Sequence, residues 1–170
     1  CNKKTKRNGT IDGIKIIRLK NNFYLGGYGF SKEAKEWIKR NWEKYDIVHS
    51  HGYNRFLSEF AVWSLKNKLP IIFTPHGFIH TKKNYLFKII HDLTIGRVIR
   101  NADKLTALTK LDFSDYERLG VKKERIVEIP NGVDTKEFGR VSKKNISNFR
   151  QKYGQDKLVL FVGRIHESKG

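Results

Sequence analysis

Short apolar runs and amphipathic segments alternate along most of this chain. Several of the apolar runs are flanked by glycine or proline, as is typical of buried strands. Between them, apolar residues recur every three or four positions, which is typical of helices that pack one face against a sheet. The pattern predicts strands at residues 14–19, 46–50, 71–74, 104–108, 125–129 and 158–162, and helices at residues 32–42, 54–66, 84–100, 111–119 and 145–153.

The order of these elements predicts an α/β fold. Strand and helix alternate, and most connections between strands are too long for hairpins, so we expect a Rossmann-like, doubly wound parallel sheet with helices on both faces. Ser31 is expected to cap the first helix, and Gly120 to end the helix at residues 111–119. Residues 1–9 and 21–30 are polar and contain glycine, and we expect them to be loops.

A polar stretch at residues 141–156 interrupts the alternation, and we expect a domain boundary there. The prediction assigns residues 1–145 to one Rossmann-like domain, and residues 146–170 to a linker helix and the first strand of a second domain. The chain begins at Cys1, contains no methionine and stops soon after a predicted strand. We therefore expect a fragment that is truncated at both ends.

The chain is strongly basic. It has 35 lysines and arginines against 17 aspartates and glutamates, a net charge of +18, so a nucleic acid, an anionic membrane or a phosphorylated substrate could be its partner. Lysine outnumbers arginine, and asparagine and isoleucine are frequent, so genome base composition explains the charge equally well. The cations are scattered over all elements without a recognisable nucleic-acid-binding motif. We expect no nucleic-acid partner, and a basic nucleic-acid-binding domain is the weaker alternative.

The cysteine content and the length of the apolar runs indicate the cellular compartment of the protein. A single cysteine excludes an intrachain disulfide framework and a multi-cysteine metal site, and it suits a reducing compartment. The longest apolar runs have about five residues, far fewer than the roughly 20 that span a bilayer. We expect a cytoplasmic protein, either soluble or peripheral on the inner face of the cytoplasmic membrane.

Unusual residues collect where the predicted strands end. In an open α/β sheet, ligands bind outside the carboxyl ends of the strands. Histidines follow two of these strands, and hydroxyl, amide or cationic groups follow the others, which favours a cleft for a polar, anionic ligand. The candidate residues are His49, His51 and Gly52; His76 and Gly77; Thr109; Asn131, Gly132 and Asp134; and Gly163, Arg164 and Lys169.

Among the histidines, His76 and His51 are the stronger candidates. Pro75 and Gly77 flank His76, so its imidazole is presented at a strand end with little freedom. His49 and His51 share a face if the strand continues to residue 51. We expect His49 to lie deeper, as a hydrogen-bonded core or interface histidine.

A zinc site is an alternative use of the histidines. It would be built from His49, His51, His76 and His80. His76 and His80 would converge only on a helix, which Gly77 disfavours, and no cysteine or same-face carboxylate completes the ligand set. We predict that the protein binds no metal.

Several sequence segments follow one another in a characteristic order and spacing. They are DIVHSHG, TPHGF, NADKLTALT, RIVEIPNGVD and FVGRIHESKG, at residues 46–52, 74–78, 101–109, 125–134 and 161–170. Together they resemble the family-four retaining glycosyltransferases, also called glycosyl transferases group 1. The resemblance implies a GT-B fold, in which this chain supplies most of the acceptor-side N-terminal domain and the first strand of the donor-side domain.

The resemblance also implies an activity. A sugar would pass from a nucleotide-diphosphate sugar to a hydroxyl of a glycan or lipid-linked acceptor, with retention at the anomeric carbon and without a cofactor. Gly163, Arg164 and Lys169 would hold the donor diphosphate, and His76 would act next to the transferred sugar. The other candidate residues, His51, Gly52, Gly77, Thr109, Asn131, Gly132 and Asp134, would line the cleft.

Two departures from the family pattern lower the expected activity of the chain alone. The first strand of the family with its glycine-rich loop, and the glutamate-bearing motif of the donor-side domain, have no counterpart in these residues. We therefore expect the isolated chain to be inactive. A noncatalytic remnant of a split gene and another kind of GT-B enzyme are the alternatives.

The segment at residues 84–100 combines cations with apolar residues at helical spacing. Leu86, Ile89, Ile90 and Leu93 would form its apolar side, and the accompanying positive charges are those of Lys82, Lys83, Lys88, Arg97 and Arg100. Such a helix either rests on an anionic membrane or packs its apolar side on the sheet and leaves its charges in water. Both interpretations stay open at this point.

Overall fold

A computed structural model describes residues 8–25, 28–53, 55–78, 85–94, 96–139, 141–154 and 156–163. The chain divides into two compact units, Cys1–Asn131 and Gly132–Gly170, and each is described by itself. The predicted assignment of residues 1–145 and 146–170 to different domains stays a prediction.

The first unit contains both strands and helices. Its strands are β1 (Asn8–Ile11), β2 (Ile14–Ile17), β3 (Phe23–Leu25), β4 (Tyr28–Phe30), β5 (Val48–His51), β6 (Ile71–Thr74), β7 (Lys104–Ala107) and β8 (Ile126–Glu128). Its helices are α1 (Lys32–Asn41), α2 (Leu57–Leu65), α3 (Tyr85–Leu93) and α4 (Asp112–Arg118). Short 3₁₀ helices cover Trp42–Lys44, Gly96–Asn101 and Lys123–Arg125.

A parallel sheet forms the centre of this unit. Within the described residues it has four strands in the order β5-β6-β7-β8, and helices connect them in sequence. The register places Phe73 beside both Ser50 and Leu105, and Leu105 beside Ile126. This arrangement confirms the predicted α/β class, with a Rossmann-like parallel sheet flanked by helices.

The core lies against one face of the sheet. Phe73, Leu105 and Tyr116 are fully buried there, and burial of such large side chains contributes about 1.5–3 kcal/mol each. Ile38 and Trp42 pack against the same core, so the predicted amphipathic character of the first helix is confirmed. The predicted Ser31 cap is confirmed as well, because its Oγ accepts a hydrogen bond from the Ala34 amide at 3.0 Å.

Two antiparallel hairpins precede the parallel sheet, and the prediction of loops at residues 1–9 and 21–30 missed them. β1 pairs with β2, and β3 pairs with β4. The first hairpin turns at Asp12 and Gly13, whose φ angles of 49° and 79° are those of an Asp-Gly hairpin turn. All four residues of β1 are exposed, and β1 lacks the apolar run that marks a buried strand.

The buried face of α2 differs from the predicted one. The periodicity predicted Leu57 and Leu65 inward, together with Phe60 and Ala61, but Leu57 is 37% exposed and the buried residues are Ser58, Glu59, Val62 and Leu65. Polar residues occupy this face because they satisfy nearby backbone groups. Ser58 Oγ donates a hydrogen bond to the His51 carbonyl at 2.5 Å, and the Glu59 carboxylate accepts one from the Arg55 amide at 3.2 Å.

The predicted long helix at residues 84–100 is divided in the structure. It consists of α3 and the separate 3₁₀ helix Gly96–Asn101. Gly96 is buried where a Cβ atom would overlap Tyr53 Oη, so any larger residue here would require Tyr53 or the backbone to shift. On α3, Leu86, Ile90 and Leu93 are exposed, and the side of the helix with His91 and Asp92 is buried.

The second unit contains helices α5 (Thr135–Phe138) and α6 (Lys143–Tyr153). The predicted strand at residues 158–162 is wrong, because these residues form no strand. Their apolar side chains are exposed, Val159 completely. A strand is stabilised by hydrogen bonds to a neighbour, and the described residues of this unit provide no neighbouring strand. No helix in the described part of the chain is long and apolar enough to cross a membrane.

Candidate functional site

The carboxyl ends of β5 and β6 bring two predicted site residues together. His51 is the last residue of β5, and His76 follows β6 by two positions. His51 Nδ1 and His76 Nε2 are 2.9 Å apart, within hydrogen-bond distance. The two rings are stacked, with an interplanar angle of 19° and centroids 5.2 Å apart. Both side chains are exposed and therefore accessible to a ligand.

The backbone around His76 is held in an unusual conformation. Its φ of +56° lies in the left-handed region, which costs a non-glycine residue roughly 1–2 kcal/mol, although histidine adopts it more often than most. The next residue, Gly77, has a φ of +119°, which only glycine adopts easily. The Gly52 amide donates to the Thr74 carbonyl at 2.8 Å, and the Tyr53 amide to the Pro75 carbonyl at 3.0 Å. These bonds continue the β5-β6 pairing beyond the strands and fix both loops.

His49 joins this pair and connects it to the sheet. Its ring lies against that of His51, with centroids 4.0 Å apart. Its Nε2 is 2.8 Å from Thr74 Oγ1, which is 2.5 Å from Thr106 Oγ1. The shared face of His49 and His51 and the hydrogen bonding of His49 agree with prediction. The predicted position of His49 in the core is wrong, because its side chain is exposed. It lies on the face of the sheet opposite to that of the buried Ser50.

The histidines of β5 are poor bases. Burial lowers the pKa of His49, and the neighbouring imidazoles of His51 and His76 lower it further. Burial also lowers the pKa of His51, followed by the effect of His76. Near neutral pH both imidazoles are therefore uncharged, and each provides one hydrogen-bond donor and one acceptor.

Comparison with known proteins identifies the family. The model of Glycosyltransferase Family 4 matches residues 3–137, which include both histidine-bearing strand ends. The chain belongs to glycosyltransferase family 4. This result confirms the resemblance that the sequence segments indicated.

Two relatives of this family-4 chain cover a similar part of it. Mannosylfructose-phosphate synthase from Agrobacterium fabrum (strain C58 / ATCC 33970) is 28% identical, over 82% of this chain and 34% of that enzyme. The crystal structure of a glycosyltransferase from Rickettsia africae ESF-5 is 20% identical, with a TM-score of 0.49, over 81% of this chain and 36% of that one. The chain thus spans about a third of the length of these relatives.

The other predicted cleft residues of this family-4 chain have different surroundings. Thr109 lies exposed just after β7, where its amide donates to Asp112 Oδ2 at 3.0 Å. Asn131 ends the first unit, and Gly132, Asp134 and Gly163 belong to the second. Asp134 caps α5, because its Oδ1 accepts a hydrogen bond from the Lys136 amide at 2.9 Å.

Part of the predicted site lies outside the described residues. Arg164 and Lys169, the predicted diphosphate ligands, are among these, as is His80. Among the residues that the structure does describe, no group of three or more histidines, cysteines or carboxylates is arranged to hold a metal ion. His51 and His76 direct their facing nitrogens toward each other.

Sequence reasoning missed the residues that support the histidines. Ser58 Oγ donates to the His51 carbonyl at 2.5 Å. Thr74 Oγ1 lies within hydrogen-bond distance of both His49 Nε2 and Thr106 Oγ1. Tyr116 continues this support, since its hydroxyl donates to the Thr106 carbonyl at 2.7 Å. A hydroxyl residue seven positions after a strand gives no signal in one sequence, so only the folded chain identifies Ser58.

Proposed function

We propose that the full-length protein transfers a sugar from a nucleotide-diphosphate sugar to an acceptor hydroxyl, with retention of the anomeric configuration. The observation that carries this proposal is the family match over residues 3–137. The exposed His76 supports it, because the imidazole stands at the carboxyl end of a central strand, where α/β folds bind ligands.

The proposed role of His76 follows from the chemistry of the transfer. When the bond between the anomeric carbon and the diphosphate oxygen breaks, positive charge develops on the sugar ring and negative charge on the leaving group. A nearby imidazole can hydrogen-bond a hydroxyl of the sugar and orient the ring for this step. Gly77 adds no side chain, and among the described residues, its chain neighbours aside, no atom lies within 4 Å of where its Cβ would be, which is consistent with a sugar beside His76.

The leaving diphosphate needs positive charge. We propose that Arg164 and Lys169 supply it beside Gly163, since a guanidinium binds two phosphate oxygens at once and a lysine adds a mobile charge. The proposed transfer requires no metal or other cofactor. Thr109, Asn131, Gly132 and Asp134 remain predicted cleft residues.

The acceptor is proposed to be a glycan or a lipid-linked molecule. A sugar phosphate is a further acceptor to test, because the name of the Agrobacterium relative contains a phosphorylated sugar. A basic protein suits either a phosphorylated sugar or a lipid with an anionic headgroup, because the net charge of +18 attracts both.

A peripheral membrane contact through α3 belongs to this proposal. Exposure of Leu86, Ile90 and Leu93 one helical turn apart favours an apolar contact with something outside this unit, and the exposed Arg97 follows them. Vesicles that contain anionic lipid should sediment the full-length protein, and Ile90→Glu should weaken this binding. Equal sedimentation of the variant would refute the assignment to α3.

The function is tested by sugar transfer with the full-length protein and a panel of nucleotide sugars. His76→Asn is the sharpest variant, because asparagine tolerates the positive φ and removes only the imidazole. We expect transfer to fall about 100-fold, whereas the exposed Tyr45→Phe should act like wild type. Unchanged transfer by His76→Asn would refute the role of His76.

Further measurements test the remaining parts. Proton NMR of the product shows whether the anomeric configuration is retained, and inversion would refute that part of the proposal.

Arg164→Ala and Lys169→Ala should each reduce turnover sharply, with Lys157→Ala as the control. The 170-residue chain alone should transfer no sugar. Salt-dependent DNA binding without any transfer would favour the nucleic-acid alternative instead.

A further inference from the structure

The contact between His51 and His76 restricts which nitrogen of His76 can meet a ligand. His51 Nδ1 lies 2.9 Å from His76 Nε2, and a single proton lies between these two nitrogens. His76 Nε2 is therefore occupied by His51 as donor or as acceptor. The nitrogen of His76 that remains for a substrate is Nδ1.

His51 is itself held on several sides. Ser58 Oγ donates to its carbonyl at 2.5 Å, and its position in β5 is paired with Thr74 of β6. The His49 ring lies against the His51 ring with centroids 4.0 Å apart, and the hydrogen bond between His49 Nε2 and Thr74 Oγ1 holds the His49 ring in place. A side chain supported in this way can orient a neighbour, whereas an unsupported surface histidine cannot.

We propose that His51 is a positioning residue, which fixes the ring plane and the tautomer of His76 and so presents His76 Nδ1 to the transferred sugar. The part of this inference that concerns the sugar rests on the proposed function. The part that concerns the tautomer of His76 is independent of the proposed function, because the tautomer can be measured without substrate. The lowered pKa of His51 supports the inference, because an uncharged imidazole can accept as well as donate.

The test compares two variants of similar size in the full-length protein. The amide of His51→Asn places a polar atom at the position of Nδ1, so it can still hydrogen-bond His76. His51→Leu has no such atom. Both changes are at an exposed position, and circular dichroism should show the same fold as wild type.

The first readout is the ¹⁵N NMR spectrum of the His76 imidazole, assigned through His76→Asn. We expect the two ring nitrogens of wild type to show one dominant tautomer, largely kept in His51→Asn and averaged in His51→Leu. Identical His76 nitrogen shifts in wild type and His51→Leu would overturn the proposal. This readout decides the question even if no nucleotide sugar is a donor.

The second readout is the kinetics of sugar transfer. In His51→Leu, kcat should fall about 10- to 100-fold while the donor KM changes little, because a mispositioned imidazole affects the reaction more than binding. His51→Asn should recover most of the loss. A proportional loss in both variants, or a change in KM alone, would overturn the positioning role. Absence of transfer by wild type would instead refute the proposed function and leave the NMR result to decide the tautomer.

Discussion

Replacement of Tyr116 by phenylalanine tests the hydrogen-bonded support beneath the site. Tyr116 is completely buried, and its hydroxyl donates to the Thr106 carbonyl at 2.7 Å. The substitution removes one oxygen and leaves the ring in edge-to-face contact with Phe78, with centroids 5.0 Å apart. No apolar contact is lost, so the change isolates one buried hydrogen bond.

The expected cost follows from that bond. A net intramolecular hydrogen bond contributes about 0.5–1.5 kcal/mol, and a less satisfied buried carbonyl adds to the loss, so we expect the free energy of unfolding to fall by about 1–2 kcal/mol. Burial, and then the nearby Asp112 carboxylate, raise the pKa of Tyr116. Its hydroxyl therefore stays a proton donor at any pH used for the measurement.

Urea unfolding followed by tryptophan fluorescence measures this effect. Trp37, Trp42 and Trp63 all lie in the first unit, so their emission reports its unfolding. With a slope of about 2 kcal/mol per molar urea, the midpoint should fall by about 0.5–1 M at an unchanged slope. Tyr45→Phe is the matched control, because Tyr45 is 44% exposed. This substitution should shift the midpoint by less than about 0.25 M. Equal shifts for the two variants would refute the reasoning.

Two further predictions concern Gly96 and His91, which both lie beside Tyr53. Gly96→Ala should destabilise the protein by about 1–3 kcal/mol, because the added Cβ overlaps Tyr53 Oη. Gly9→Ala is the control, because its added Cβ would meet no atom of the described residues within 4 Å. Equal urea midpoints for the two variants would contradict the prediction. Burial lowers the pKa of His91 to about 4 from 6.5, so the native state takes up its proton later than the unfolded state as pH falls. Stability should therefore be lost between about pH 6.5 and pH 4, by up to about 3 kcal/mol in total. His91→Gln should flatten this part of the profile, and an NMR midpoint for His91 near 6.5 would contradict the prediction.

Local signals in the sequence predicted several elements well. The strand at residues 71–74 has the predicted bounds, because a proline precedes an uninterrupted apolar run and another proline follows it. Ser31 caps α1 through its own hydroxyl, three residues from the amide that it satisfies. Such features depend on neighbours in sequence, so one sequence is enough to identify them.

Features that depend on distant partners were missed or wrong. The apolar run at residues 158–162 has the composition of a strand, but strand pairing requires a second segment in contact with it. The inward face of α2 follows the hydrogen bonds that its side chains make to the His51 carbonyl and the Arg55 amide more than its own apolar periodicity. β1 was missed because its exposed residues lack the burial pattern, and the Asp-Gly turn before the predicted strand at residues 14–19 was its local signal.

The sequence by itself predicted an α/β protein with the segments of glycosyltransferase family 4, and it placed His51 and His76 after two of the predicted strands. Strand composition and residue order carry that information. Only the tertiary structure decided that the two imidazoles meet nitrogen to nitrogen, although 25 positions separate them in the chain. That contact depends on the register of β5 with β6, the left-handed turn at His76 and the neighbouring His49 ring, and each of these arises from groups that meet only when the sheet has formed.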